Sequence, residues 1–403
     1  MSVEKYEVAV VGGGPAGSAA AYTLAAAGRS VCLIDKSEFP REKLCGGLIT
    51  LRSKKTFEAI FGTPWDSNIF NSSREIYFFA DGKELASQRA DEDTQLFFTM
   101  RLDFDAYLLE LARRAGATLK LGHAISKLEI ESGTIALQSG EEIAFNFLIG
   151  ADGVNSFVAK TLFGASFNPS KIGFGLEVEV PRDLLPQQSE RVEIDFGAAR
   201  WGYGWVFPKQ RSFTIGVGGI HRLNLDLRDR LDRYLRHKGL ASKDFKVKGQ
   251  YIPFGDFRKA PGAKNVLLCG DAAGTADPIT GEGIAYAMQS GAAAGLAIRN
   301  ARSDIDGDVL SLYFQDYKSI ASSLRQANFW RWFIFPTILQ RPFAWAFSDA
   351  STLQQGYLKI LAGTLDYNAL YGLFTTQVRK AIKKLAATVF RKIKELFNRQ
   401  TNI

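Results

Sequence analysis

Apolar residues at the start of the chain fall in two short runs separated by a small-residue helix. Tyr6–Val11 ends in four consecutive apolar residues before a glycine cluster, the pattern of a parallel strand buried on both faces. Small apolar residues then continue through Ala16–Ala27 and stop at Gly28, which predicts a helix with a glycine end. Ser30–Ile34 predicts a second buried strand that delivers Asp35 at its tip. A helix is expected over 104–115, strands over 172–180, 191–196, 201–207 and 212–218, and a helix over 226–237. Within 201–207 the period of two puts Trp201, Tyr203, Trp205 and Phe207 on one face and Gly202 and Gly204 on the other. The bare glycine face permits close approach by a ligand or another backbone. From about 305 onward the chain reads as helical, with an aromatic stretch at 329–336 continued at 343–347. Over 377–399, Val378, Ile382, Leu385, Val389, Ile393 and Leu396 recur at steps of three and four, so a last helix has one apolar face.

Composition changes this picture in a few places. A chain of 403 residues is long enough for about two domains. Hydrophobic residues at 46% and charged residues at 23% are ordinary for a globular protein. The 30 phenylalanines leave two readings open, a large core or an apolar ligand tunnel. The net charge of +8 is concentrated at the end: Arg379, Lys380, Lys383, Lys384, Arg391, Lys392, Lys394 and Arg399 are opposed by Glu395 alone. The basic balance therefore describes the tail and argues against a nucleic-acid groove across the body. A basic amphipathic helix of this kind lies on an anionic membrane, docks on the core, or binds a partner. Arg331, Arg341, Pro336 and Pro342 interrupt the aromatic stretch, and no run of about 18 apolar residues predicts a spanning helix. Cys32, Cys45 and Cys269 form no disulfide pattern, and a strand begins almost at once, so a cytoplasmic protein without a signal peptide is expected.

The chemistry begins at the first turn. Gly12, Gly14 and Gly17 form G-x-G-x-x-G between strand and helix. In such a turn the first glycine permits the tight bend, the second admits a pyrophosphate to the backbone, and the third lets helix and strand pack. The helix N-terminus offers free N–H groups and a positive dipole end. Asp35 follows at the distance where a carboxylate takes a ribose hydroxyl. The turn alone does not separate a flavin from a nicotinamide dinucleotide.

Three later fragments do so by resemblance. Arg101 in Met-Arg-Leu-Asp-Phe-Asp, Gly-Ala-Asp-Gly-Val-Asn-Ser at 150–156, and Gly270-Asp271 with Pro278…Gly281-Glu282-Gly283-Ile284 resemble the cofactor motifs of the p-hydroxybenzoate-hydroxylase-like flavoproteins. The resemblance implies non-covalent FAD. It implies contacts from Pro15, Ala16, Lys36, Cys45, Gly46, Ala124, Asp152 and Gly153 besides the first-turn residues. It further implies Asp271 at the ribityl or ribose region, Arg101 beside the flavin, and the helix after Gly283 aimed at the isoalloxazine C2 carbonyl. Helix N–H groups there would stabilise the negative charge of reduced flavin at N1 and O2. Read without the family, Arg101 is a solvated charge leading a helix and Asp271 a helix N-cap.

Two more fragments narrow the resemblance. Pro40-Arg41-Glu42-Lys43-Leu44-Cys45-Gly46-Gly47, and Tyr203-Gly204-Trp205-Val206-Phe207-Pro208 followed after seven residues by Gly216-Val217-Gly218, resemble the geranylgeranyl reductase family. The match spans roughly 5–300. It implies a substrate cavity built from Tyr203, Trp205, Phe207, Pro208, Gly216 and Gly218, and catalytic candidates Cys45, Tyr203 and Trp205. Without the family, the aromatic stripe reads as sheet core. Cys45 remains an inert thiol, a residue tuning the flavin, or a proton carrier.

The implied fold is α/β with an α+β second domain: a Rossmann-like FAD-binding domain (1–60, 96–165, 256–304), an inserted antiparallel-sheet substrate domain (61–95, 166–255) and a C-terminal helical region (305–403). The implied reaction saturates isolated double bonds of a geranylgeranyl or polyprenyl chain by hydride transfer from reduced flavin, with NADPH or ferredoxin as electron donor. A flavin monooxygenase acting on an aromatic or isoprenoid substrate is the second reading, a halogenase a remoter one, and a non-enzymatic carrier the last. The expected location is cytoplasmic, or peripheral on the inner face of the membrane through the terminal helix.

Overall fold

The structure is a computed structural model that describes residues 3–188, 190–301, 308–349, 351–367 and 369. Its first sheet runs in the order Gly262–Ala263, Val266–Leu268, Glu142–Gly150, Glu4–Val11, Val31–Asp35, Thr118–Leu121, with Thr134–Leu137 and Ile125–Glu129 appended. Val266–Leu268 and the next four strands pair in parallel. These strands are apolar on both faces because both faces are covered: Val8, Val10, Leu33, Leu148 and Leu267 have no exposed surface.

The helix Pro15–Ala25 follows the first strand, and the helix Ile284–Asn300 packs against it. Their approach depends on glycine. A Cβ on Gly291 would stand 2.0 Å from the Ala16 carbonyl oxygen, and one on Gly295 3.0 Å from the Thr23 side chain. This contact brings residues near 280 to the first turn of the chain. The long helix Asp308–Ile334 backs it, with buried Tyr313 donating to the Leu268 carbonyl at 2.7 Å.

A second, mostly antiparallel sheet runs Lys248–Ile252, Gly173–Pro181, Ser212–Ile220, Gly202–Pro208, Val192–Asp195, Glu75–Ala80, Lys83–Arg89. One face holds Val178, Val180, Ile215 and Val217 against Leu231 and Leu235 of the helix Leu227–Arg236. The other face turns toward the first domain and the C-terminal helices. A small sheet of Leu48–Ile49, Leu96–Phe98 and Asn71–Ser73 lies between.

The periodic elements form close to where the sequence predicts them. The helix expected at 104–115 is Arg101–Arg114, so Arg101 opens it. Trp201 departs from its expectation. Its φ of +53° lies in the left-handed region, so it precedes the strand Gly202–Pro208 and does not continue its alternation, and its ring packs edge-on to Trp332 at 4.5 Å. Gly204, expected to leave room for a ligand or backbone, instead accommodates Tyr234, whose ring carbons lie 3.1 Å from a Cβ placed there. The helical region comprises Asp308–Ile334, Thr337–Asp349 and Ser351–Leu361 among the described residues, with a break at Phe335-Pro336. Among those residues no helix is long and apolar enough to cross a membrane. The amphipathic helix expected at 377–399 lies outside them.

Candidate functional site

One cavity of about 650 Å³ joins the two sheets, running from the first turn past Cys45 and Arg101 to the aromatic strand. Its first end is built by the turn at 12–17. Gly12 has φ +108°, and a Cβ there would stand 2.3 Å from the Ala151 carbonyl oxygen. Gly14 caps the first helix without a side chain, Pro15 follows at the first helical position, and a Cβ on Gly14 would meet nothing nearer than Arg41 Nη2 at 3.7 Å. Pro15, Ala16, Lys36 and Ala124 line the same end. Gly17 does not: its Cβ position falls 1.8 Å from the Gly12 carbonyl oxygen, so it serves packing. Asp35 accepts from the Gly13 N–H at 2.7 Å and the Ser37 N–H at 2.9 Å, and each oxygen keeps a lone pair for a hydroxyl. Gly153 is open, with no atom within 4 Å of a Cβ there. Asp152 lines the cavity but spends its carboxylate on the helix Phe157–Phe163, accepting from Phe157 N at 2.6 Å and Val158 N at 3.2 Å. It shapes the turn more directly than it offers a contact.

Charge is concentrated in the middle. Arg101 makes a bidentate pair with the fully buried Asp105, at 2.6 and 2.8 Å, and Arg41 reaches the same carboxylate at 3.3 Å. Burial opposes the Arg101 charge, but Asp105 more than offsets it and its pKa is raised. Two guanidinium groups thus stand beside the uncapped helix at Gly14. Burial pushes the Lys43 ammonium down, with Asp271 opposing that shift from across the cavity. Asp271 lines the wall within the turn Gly270–Ala272.

The segment 277–284 is fixed from below. Asp277 accepts from the N–H groups of Ile279 and Thr280 and from the Tyr367 hydroxyl. Glu282 lines the wall and pairs with Arg52 at 2.7 Å. Pro278 and Gly281 line the wall, and Gly283 caps the helix Ile284–Asn300 with no side-chain cap and no acidic residue in the first turn. That helix begins on the cavity with its donors uncapped.

At the far end the second sheet presents an aromatic row. Trp205 is 7% exposed, and its indole crosses the neighbouring strand over two glycines. A Cβ on Gly216 would lie 2.3 Å from Trp205 Cζ2, and one on Gly218 3.3 Å from Cζ3. Gly216 is therefore the floor under the indole, and neither it nor Pro208 reaches the cavity wall as expected, whereas Gly218, Tyr203, Trp205 and Phe207 do. Tyr203 donates to the Thr280 carbonyl, which ties the aromatic strand to the 277–284 segment, and burial pushes its phenol up. Phe335 and Leu361 of the helical region close this end.

Cys45 lies between the two ends. Its Sγ accepts from the Gly47 N–H at 3.4 Å, its N–H donates to Glu177 Oε1 at 3.0 Å, and its carbonyl accepts from Lys209 at 3.4 Å. Gly46 lines the cavity while the Phe207 ring and Trp205 Nε1 crowd it at 2.9 and 3.4 Å from its Cβ position. Glycine is needed there for aromatic side chains as well as for any ligand. Of the three histidines, His123 alone reaches the wall, beside Ala124.

The sequence reading missed Arg41, Asp105 and Glu177. The i,i+4 spacing of Arg101 and Asp105 was an available signal. For Glu177 it was an acid in the cavity-facing register of a predicted strand.

The pieces fit a dinucleotide flavin: two uncapped helix starts on one cavity, two arginines beside the first, and glycines open where a phosphate and ring must approach. Residues 5–172 match the family described as an FAD binding domain. The chain is 30% identical over 344 residues to the chloroplastic geranylgeranyl diphosphate reductase of Arabidopsis thaliana, covering 79% of this chain and 71% of that protein. This chain belongs to the geranylgeranyl reductase family. It is likewise 28% identical over 303 residues to menaquinone reductase of Mycolicibacterium smegmatis, covering 71% and 74%. A geranylgeranyl bacteriochlorophyll reductase-like protein of Thermoplasma acidophilum shares the fold, with TM-score 0.69 and 23% identity over 86% of this chain and 90% of that one. As a member of the geranylgeranyl reductase family the chain is an FAD-dependent oxidoreductase acting on carbon–carbon double bonds.

Proposed function

We propose that the protein saturates isolated double bonds of a geranylgeranyl or longer polyprenyl chain carried by a lipid. The observation that supports this most is the continuity of one cavity from the dinucleotide cradle to the aromatic row, closed by Phe335 and Leu361. Bound FAD, once reduced, supplies a hydride. An isolated trisubstituted alkene has no carbonyl to polarise it, so orientation and exclusion of water carry the catalytic burden. The Tyr203 and Trp205 rings hold such a chain and face any positive charge that develops at its tertiary carbon. Tyr203 also fixes the 277–284 segment through Thr280, so substrate grip and cofactor cradle share one link.

A lipid-borne substrate is supported by the outer surface of the same helices. Phe329, Trp332 and Phe333 precede Phe335, and Ile338 and Trp345 follow it, each between 45% and 84% exposed. Such a patch beside the cavity's closing residue suits entry of a chain from a lipid surface, with the protein peripheral on the inner face of the membrane. The two named relatives suit a substrate with a polyprenyl tail. The electron donor is NADPH or ferredoxin.

The test is to photoreduce the flavoprotein without oxygen and add geranylgeranyl lipids and prenyl quinones. Flavin reoxidation with gain of two hydrogens per double bond is expected. Reoxidation only after oxygen is admitted, with one oxygen atom gained in the product, would move the chain to the monooxygenases.

A further inference from the structure

Saturating an alkene needs a proton as well as a hydride, and the cavity wall carries an acid suited to supply it. Glu177 lies on the strand Gly173–Pro181, in register with Gly216, which is in turn in register with Trp205. Trp205, Gly216 and Glu177 thus form one row across three strands, and the missing side chain at Gly216 lets the indole lie across the strand between them. Glu177 is 4% exposed and lines the cavity. Its Oε1 is held by the Cys45 N–H, while its Oε2 is buried with no hydrogen-bond partner among the described residues. Trp205 Nε1 is buried and unpartnered in the same way. A buried carboxylate oxygen without a donor is costly, and a protonated one is far less so.

The surrounding charges leave it that way. Lys209 is committed to Glu179 at 3.0 Å and to the Cys45 carbonyl. Lys248, its register partner on the other side, is committed to Glu42 at 2.6 Å. Glu179 on the same strand adds a like charge, and the facing strand contributes only Gly216. Burial lifts the Glu177 carboxyl to about 7, against Lys209, the Cys45 N–H and Lys248, with Glu179 adding to the rise. The other candidates are less suited: the Tyr203 phenol is pushed up by burial and already donates to Thr280.

We propose that Glu177 is the proton donor of the reaction, giving up the proton on Oε2 to the alkene held against Trp205. The proposal rests on the prenyl-reductase reading above. The proton adds to the less substituted alkene carbon as the Oε2–H bond breaks. The hydride, with its two electrons, comes from the reduced flavin and adds to the tertiary carbon as the π bond is lost. The flavin is left oxidised, and the Glu177 carboxylate is reprotonated from water when product leaves.

Glu177→Gln tests this, because the amide keeps an acceptor for the Cys45 N–H and removes the acid. FAD content and the rate of flavin photoreduction should match wild type. Anaerobic single-turnover reoxidation by a prenyl substrate should slow about 10²-fold or more, and its loss of rate above pH 7 should disappear. Independently of turnover, infrared titration of the oxidised flavoprotein should show a protonated-carboxyl carbonyl band that titrates near pH 7 in wild type and is missing in the variant. If wild type reacts and Glu177→Gln reacts as fast with the same pH profile, the assignment of Glu177 is overturned while the reductase reading stands. If wild type leaves every prenyl alkene intact, both fall together.

Discussion

Replacing Gly216 by alanine isolates the geometry on which the aromatic row depends. The new methyl would lie 2.3 and 2.6 Å from Trp205 Cζ2 and Cε2, and 2.7 Å from the Leu176 carbonyl oxygen. Ordinary carbon contacts need about 3.5–4.0 Å, so one side must move by more than 1 Å. The carbonyl belongs to a strand paired along its length, from Gly173–Ile220 to Pro181–Ser212, and resists displacement. The indole therefore moves, and Gly46, 3.4 Å from its Nε1 at the Cβ position, limits how far. Overpacking of this kind costs about 1–3 kcal/mol, and a 1 Å misplacement in a reacting site costs about 10²-fold in rate. Gly216→Ala should keep FAD and lose about 10²-fold in prenyl turnover. Gly218→Ala, whose methyl finds Trp205 at 3.3 Å, should lose much less. FAD absorbance after gel filtration, thermal unfolding and anaerobic reoxidation measure the three quantities. Equal activity in Gly216→Ala and wild type, or a larger loss in Gly218→Ala, would refute the idea that the glycine pair exists to seat the indole.

Three further outcomes follow from other parts of the molecule. Asp105→Ala leaves Arg41 and Arg101 without their shared buried carboxylate, so stability should fall by about 3–5 kcal/mol and FAD should loosen, as read by denaturation and flavin fluorescence. Glu177 has a folded-state pKa of about 7 against an ordinary 4.5, so the native state holds a proton the unfolded chain has lost. Its contribution is therefore full below pH 4.5 and falls as pH rises to 7, by about 3 kcal/mol in order of magnitude. The stability of Glu177→Gln relative to wild type should rise over that window, which thermal melts on either side of it would show. Ile338→Glu with Trp345→Glu, two exposed positions seven apart on one helix, should weaken co-sedimentation with anionic vesicles while sparing turnover of a detergent-dispersed substrate. Unchanged vesicle binding would remove the membrane role from that patch.

The parts legible in the sequence were those set by local periodicity or by close backbone approach. The first strand, turn, helix and strand follow from the apolar runs around Gly12, Gly14 and Gly17. The aromatic strand follows from its alternation, while Gly216 and Gly218 were marked only through the resemblance, as cavity residues. What was not legible depends on which distant groups meet. That Gly216 lies under Trp205, not on the wall, is a matter of sheet register. That Gly204 receives Tyr234 depends on how the helix Leu227–Arg236 packs. Trp201 left the alternation because its backbone turns at φ +53°, which spacing does not reveal. Arg41 stands in a loop with no periodicity, and only the fold brings it to Asp105.

The two demands of the proposed chemistry, dryness and a proton, meet in one structural device. An alkene without a polarising group reacts only where water is excluded, and here exclusion comes from Trp205, Phe207, Phe335 and Leu361 around one end of the cavity. The same exclusion removes the solvent that would keep a carboxylate charged, so an acid in that wall stays protonated near neutral pH. No histidine or bound cation is then required to present a proton; burial of Glu177 with its neighbouring lysines engaged elsewhere is sufficient. The slot cannot be opened to water without also ionising the carboxyl that holds its proton. A substitution that wets the aromatic end, such as Phe335→Ser, should thus lower the Glu177 pKa as well as the rate, a coupling that a purely steric slot would not show.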